Sequence, residues 1–320
     1  MPLPLRTAAF WTVYRLLDRA PVMQQPADKV RAKSELRKRL FRLPASSLIT
    51  GRPDRSVTIA DTALQLDDGT ELPLRIYRPR GQGSESPPVV VNFHGGGWVS
   101  GDVRQSEWWC AGVAAGAGAV VVSVEYRLAP EHPFPTPVED CYAATKWVAE
   151  HGTELGADGS RLAVMGDSAG GNLAAVVCLL AREGGPAIDA QVLLYPVVDL
   201  TLAAPSTTAF ERGPLLTRAD MDVFRTNYLG EDGDASDPFC SPLLAPDHSD
   251  LPPALVITAQ VDPLHDDGVA YAERLRHAGV PTRHSDHARA VHGFICFPGM
   301  CRAAGEALDE ICHELSTRLA

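Results

Sequence analysis

The spacing of hydrophobic positions changes character along the chain. Before residue 50, Phe10, Trp11, Tyr14, Leu16 and Leu17, and then the apolar positions of 29–43, recur at intervals of three and four among basic groups. That period predicts two amphipathic helices. From Val57 the pattern turns extended, with runs at 57–66 and 70–78 on either side of Asp67-Asp68-Gly69, a hairpin turn signal. Short apolar runs then alternate with helical stretches. Strands are predicted at 89–93, 120–126, 161–165, 192–197, 254–258 and 282–287, and helices at 106–117, 138–151, 172–181, 268–278 and 299–319. Strands separated by helices imply an α/β protein with a mostly parallel sheet covered on both faces, and the hairpin adds an antiparallel edge. Residues 201–250 break the rhythm. They hold no predicted strand, are rich in Pro, Asp and Ser, and carry one amphipathic run at 215–229. Too long for a plain connection, this segment reads as an insertion forming a lid.

Composition narrows the function classes. A content of 45% hydrophobic and 22% charged residues over 320 positions is that of a globular protein able to bury a substantial core. The formal net charge of −11 argues against nucleic acid or an anionic membrane as partner. The basic run 29–40 is then read as a solvated helix face, in an arm that would pack across a site. Seven scattered cysteines without a C-x-x-C pair oppose a disulfide framework or a zinc site and fit a reducing cytoplasm. No run approaches the roughly 20 apolar residues of a membrane span, and the first residues lack a signal-peptide pattern. With neither G-x-G-x-x-G nor a Walker lysine motif, no cofactor is expected.

The chemistry centres on Gly166-Asp167-Ser168-Ala169-Gly170-Gly171, between a predicted strand and a predicted helix. A serine flanked by glycines two positions away suits a turn so tight that side chains there would clash. Such a turn lifts the hydroxyl above the sheet, over the free N–H groups of a helix N-terminus. An N-terminal cap in any parallel α/β protein is the blander reading of Ser168. A nucleophilic serine needs a base and an acid that orients it, and in this type of fold they follow in the order Ser, Asp or Glu, His at strand ends. Asp262 follows the strand at 254–258, and His292 follows the last strand. Asp266 and Asp267 compete as the acid but fall beyond Pro263, towards the next helix. His284 and His287 stand on or beside the last strand, and without a matching carboxylate spacing no metal site is expected from them. His94-Gly95-Gly96-Gly97-Trp98 leaves the strand at 89–93. Its glycines suit an oxyanion hole, with the N–H groups of Gly95 and Gly96 joined by that of Ala169. Trp98, Tyr195 and Phe210 are candidate pocket walls, with core packing as the alternative for each.

These motifs, together with Tyr126-Arg127-Leu128-Ala129-Pro130-Glu131, Asp262-Pro263-Leu264 and His292-Gly293-Phe294, resemble in order and spacing the bacterial hormone-sensitive-lipase-like carboxylesterases. The Asp before the serine matches the Gly-Asp-Ser-Ala-Gly subgroup. The resemblance covers the chain from about residue 55 to the end and implies an α/β-hydrolase fold acting on short to medium acyl esters. It also implies a cap built from residues 1–50 and 201–250, with 51–200 and 251–320 forming the catalytic domain. The expected partner is a small-molecule ester, and a homodimer is compatible with it; neither nucleic acid nor an integral membrane location is expected. A non-catalytic binding protein on the same fold, a lipase and an amidase are the rival readings. One departure is Ala288-Arg289-Ala290-Val291, where relatives often carry a glycine-containing turn before the histidine.

Overall fold

The computed structural model describes residues 46–81, 86–230 and 232–320, together with Leu3, Pro4, Thr7 and Ala8. The two amphipathic helices expected before residue 46 lie outside the described residues. The hairpin forms as β1 (Val57–Gln65) and β2 (Glu71–Pro79), antiparallel, with Gln65 opposite Glu71 across a turn whose Gly69 takes φ 82°. The elements that follow are β3 (Pro88–Phe93), α1 (Glu107–Ala117), β4 (Val120–Val124), α2 (Thr136–Glu150), β5 (Asp158–Asp167), α3 (Ala169–Gly184) and β6 (Ala190–Leu194). After α4 (Arg218–Leu229) come β7 (Ala254–Val261), α5 (His265–His277), β8 (Thr282–Val291) and α6 (Ala303–Arg318).

The strands join in the order β1-β2-β4-β3-β5-β6-β7-β8. β2 is antiparallel to both neighbours, and β3 to β8 are parallel. Every residue of β3, β4 and β6 is buried, as expected for central strands covered on both faces. One apolar layer packs α2, α3 and α5 on the sheet through residues such as Val138, Leu173 and Leu275. The opposite layer packs α1 and α6 through Trp109, Val113, Ile311 and Leu315. Each fully buried side chain of this size contributes about 1.5–3 kcal/mol relative to exposure.

Among the described residues, the 201–250 segment contains no strand. It holds a helical turn at Pro205–Ala209, then α4 and a short 3-10 turn at Pro242–Leu244. A capping box starts α4: Thr217 Oγ1 accepts from the Asp220 N–H at 3.1 Å, and Asp220 Oδ2 accepts from the Thr217 N–H at 3.0 Å. Tyr228 at its far end stacks on Trp98, ring centroids 4.2 Å apart and planes within 6°. The Phe134 N–H donates to the Tyr228 carbonyl at 2.7 Å, so α4 is tied to the body at two points.

The Tyr126 to Glu131 motif braces the loop after β3. The Tyr126 hydroxyl donates to the His94 carbonyl at 2.7 Å, and the Ala129 N–H to the Trp98 carbonyl at 2.9 Å. Arg127 is anchored by the fully buried Asp140, which accepts from its backbone N–H at 2.9 Å and its guanidinium at 2.6 Å. Without Asp140 the Arg127 backbone N–H loses its acceptor, while the part-exposed guanidinium keeps Asp68 at 3.2 Å. Asp140→Ala is therefore expected to destabilise the fold by about 2 kcal/mol, read as a lowered urea midpoint at unchanged m-value.

Candidate functional site

The site sits where the parallel strands end. Phe93, the last residue of β3, pairs with Gly166 of β5, so the loops leaving these two strands start side by side. Between β5 and α3 the chain turns through Ser168 at φ 56° and ψ −118°, a strained conformation for an L-residue. Two glycines make this turn possible. A Cβ on Gly166 would come within 2.2 Å of the Gly170 carbonyl oxygen, and one on Gly170 within 2.0 Å of the Phe93 carbonyl oxygen. The Ser168 N–H donates to the Leu194 carbonyl on the neighbouring β6 at 2.9 Å.

Asp262 follows β7 directly and His292 follows β8 directly. His292 Nε2 lies 2.9 Å from Ser168 Oγ, and His292 Nδ1 lies 2.7 Å from Asp262 Oδ2. With Nδ1–H donating to the carboxylate, Nε2 is left to accept from the serine hydroxyl. Asp262 is fully buried, and its other oxygen accepts from the Leu264 N–H at 2.8 Å. The competing carboxylates point elsewhere. Asp266 holds His265 at 2.8 Å and the Ser206 N–H at 2.9 Å, while Asp267 accepts from the Val198 N–H at 3.3 Å. His284 Nε2 meets Thr258 Oγ1 at 2.9 Å and His287 Nε2 meets Glu310 at 3.4 Å. The turn before His292 needs no glycine because Arg289 itself takes φ 60°, its N–H donating to Gln260 Oε1 at 3.2 Å beside an irregularity in the β7–β8 pairing.

One expectation for the oxyanion donors is corrected. The Gly95 N–H donates to Asp167 Oδ1 at 2.8 Å and is not free for a ligand. Among the described residues no acceptor is recorded for the N–H groups of Gly96, Gly97 or Ala169. Gly96 and Gly97 also line the cavity above Ser168, whereas Gly95 is buried behind it. Burial pushes the Asp167 carboxyl above the usual carboxylate range, opposed by the Gly95 N–H and the nearby histidines.

The cavity holds about 610 Å³ and reaches Ser168 and His292 at its floor. The 201–250 segment contributes Leu202, Leu215, Met221 and Phe224 to its apolar lining, and Trp108, Val197, Leu264 and Phe297 of the body complete it. Of the three expected wall residues, Trp98 lines it; Tyr195 and Phe210 do not. Tyr195 is fully buried, its ring edge-on to His292 with centroids 4.9 Å apart, so it backs the imidazole instead. Phe210 follows the Pro205–Ala209 turn, and its carbonyl accepts from the Gly213 N–H at 2.7 Å. Gly97 and the apolar wall were not singled out from sequence. The amphipathic run at 215–229 was the available signal for the wall.

A strand-to-helix serine, joined to a histidine and a buried carboxylate from later strand ends, defines a serine hydrolase arrangement on a mostly parallel sheet. A family model described as the alpha/beta hydrolase fold matches residues 90–296. The chain is 42% identical to the carboxylesterase NlhH of Mycobacterium tuberculosis over 297 residues, covering 91% of this chain and 90% of that protein. It is 36% identical to an ethyl acetate hydrolase of Pseudomonas putida, covering 93% and 92%. The hyperthermophilic esterase of Pyrobaculum calidifontis superposes with a TM-score of 0.90 at 37% identity over 100% of both chains. The chain belongs to the α/β-hydrolase-fold family.

Asp267 gives the stability of the fold a measurable pH signature. Burial holds its carboxyl well above the usual range. The folded state then binds a proton that the unfolded state releases near pH 4, so stability falls as pH rises through the folded pKa. Asp267→Asn removes the ionisation. Its stability relative to the wild type is expected to rise with pH from about 4 upwards and to level off above the folded pKa, as read by urea unfolding at a series of pH values.

Proposed function

We propose that this protein is a serine carboxylic-ester hydrolase acting on short to medium acyl esters, with Ser168 as nucleophile, His292 as base and Asp262 as the acid that orients it. The observation that carries the reading is the unbroken chain from Ser168 Oγ through His292 to Asp262, at 2.9 and 2.7 Å. Ester hydrolysis is the activity named for the carboxylesterase and the ethyl acetate hydrolase to which the chain is similar. In the first step the Ser168 hydroxyl proton passes to His292 Nε2 as Oγ bonds to the ester carbonyl carbon. The carbonyl oxygen, now an oxyanion, takes hydrogen bonds from the N–H groups of Gly96, Gly97 and Ala169. The carbon–oxygen bond to the alcohol then breaks, and His292 returns its proton to the leaving oxygen. Water, deprotonated by the same nitrogen, attacks the acyl carbon, and the acid departs as Ser168 regains its proton. Asp262 holds the imidazole in one tautomer and stabilises its positive charge throughout.

Residues 1–50 and 201–250 form a cap in this reading; the apolar side chains that the latter contributes to the cavity support it, and a cavity of about 610 Å³ suits a small ester. No helix among the described residues is long and apolar enough to cross a membrane. Seven free cysteines support a cytoplasmic location. The two open sheet edges, β1 and β8, support edge-to-edge pairing of two copies, which sedimentation would read as twice the chain mass.

The test is hydrolysis of p-nitrophenyl esters of increasing acyl length by the wild type and by folded Ser168→Ala. Wild-type turnover highest on short to medium chains, falling about 10⁴-fold or more in the variant, is the expected result. Activity that survives Ser168→Ala would overturn the triad. No turnover at any acyl length would favour a binding protein on the same fold.

A further inference from the structure

The N–H groups of Gly96 and Gly97 lie on the loop after β3, whereas that of Ala169 and the nucleophile itself lie on the turn after β5. The oxyanion hole is thus built from two separate segments. Donors must sit 2.7–3.1 Å from the developing oxyanion, so the gap between the segments has to be held to a few tenths of an ångström.

Most hydrogen bonds of the loop run away from the turn. His94 Nδ1 bonds the Gly95 carbonyl at 2.8 Å, its ring stacked on Tyr126 with centroids 4.3 Å apart. The Gly96 carbonyl accepts from the Ser100 hydroxyl at 3.0 Å and the Ser100 N–H at 3.1 Å. These contacts shape the loop internally and tie it to the segment after β4 and to its own continuation. Among the described residues, one recorded hydrogen bond joins residues 94–100 to residues 167–171: Gly95 N–H to Asp167 Oδ1, at 2.8 Å. The contact is tight, since a Cβ on Gly95 would fall 2.5 Å from Asp167 Oδ2. Asp167 is 2% exposed, and among the described residues no Lys or Arg is paired with it; the Tyr195 hydroxyl lies 3.5 Å from its second oxygen. An ionisable group in such a place costs stability unless something requires it. It immediately precedes Ser168, so whatever it grips is placed relative to the nucleophile.

We infer that Asp167 is a positioning residue which, by accepting the Gly95 N–H, sets the loop bearing Gly96 and Gly97 at the distance from Ser168 and Ala169 that an oxyanion requires. The inference rests on the ester-hydrolase reading. It assigns Asp167 the role of an acceptor. Asn can fill that role, since its carbonyl oxygen accepts from Gly95 and its amide donates to the Tyr195 oxygen. Leu matches the shape and cannot accept.

The experiment compares wild type, Asp167→Asn, Asp167→Leu and Asp167→Ser, each checked for folding by circular dichroism. It measures kcat and KM on p-nitrophenyl butyrate, the pH profile of kcat/KM, and inhibition by a phenylboronic acid, which forms a tetrahedral adduct on Ser168, against inhibition by butyrate, which stays trigonal. Asp167→Leu is expected to lower kcat about 10²-fold with KM within about threefold, and to weaken the boronate by a similar factor while leaving butyrate unchanged. Asp167→Ser, whose oxygen falls short of Gly95, should behave alike and decides the matter if the leucine variant does not fold. Asp167→Asn should recover kcat to within about tenfold of wild type, with the acidic limb of the profile unmoved. Wild-type kcat in a folded Leu or Ser variant would overturn the inference. So would an Asn variant as slow as Leu, or one with a shifted acidic limb, because either result would assign the effect to charge near His292. Lack of Ser168-dependent turnover in the wild type would instead overturn the ester-hydrolase reading, and this inference with it.

Discussion

A serine held at φ 56° between two strands' loops is the constraint on which the rest of the molecule depends. Such a conformation costs on the order of 1–3 kcal/mol and persists only where its surroundings leave no alternative. Here β5 and α3 meet so closely that a methyl group on Gly166 or Gly170 would collide with backbone oxygen. Gly170 also lies against the end of β3, so the turn and the neighbouring loop share one wall. The fully buried central strands make that wall rigid, because they are packed from both faces by independent apolar layers.

The order of the strands converts this rigidity into a site. β3, β5, β6, β7 and β8 are adjacent and parallel, so the loops at their C-terminal ends open on one edge of the sheet. His94 to Gly97, Ser168, Asp262 and His292 come from these ends, although His292 lies 198 positions after His94 in the chain. Tyr195, at the end of β6, backs the imidazole, and Asp267 holds the Val198 N–H beneath the cavity. Above this floor the 201–250 segment supplies part of the apolar wall. It is attached where it matters: Tyr228 stacks on Trp98, the residue that closes the glycine loop, and Phe224 packs against Gly97. α4 and the glycine loop after β3 are therefore in direct contact at two points.

Much of this was legible in the chain itself. Central strands announce themselves as largely apolar runs, since burial on both faces admits a polar side chain only where it finds a partner, as Asn92 of β3 does in Ser123 of β4 at 2.9 Å. The glycines around Ser168 are legible because one backbone geometry there excludes every larger residue, and Asp262 and His292 because strand ends are where a parallel sheet delivers loop residues. What stayed hidden was decided by side chains reaching across from other strands. Nothing local distinguishes Gly95 from Gly97 as a donor; the carboxylate of Asp167, one strand away, occupies the first and leaves the third. Tyr195 has the sequence look of a pocket wall, yet its φ of 35° is associated with a ring turned behind His292. Arg289 takes a backbone conformation usually left to glycine, supported by Gln260 on the adjacent strand. Local backbone rules and hydrophobic period are properties of neighbours along the chain, so the sequence determined the elements, their order and which serine, carboxylate and histidine stand at the strand ends. Which N–H is occupied, which ring faces the cavity and how far apart two loops stand are properties of neighbours in space, and only the tertiary structure decided them.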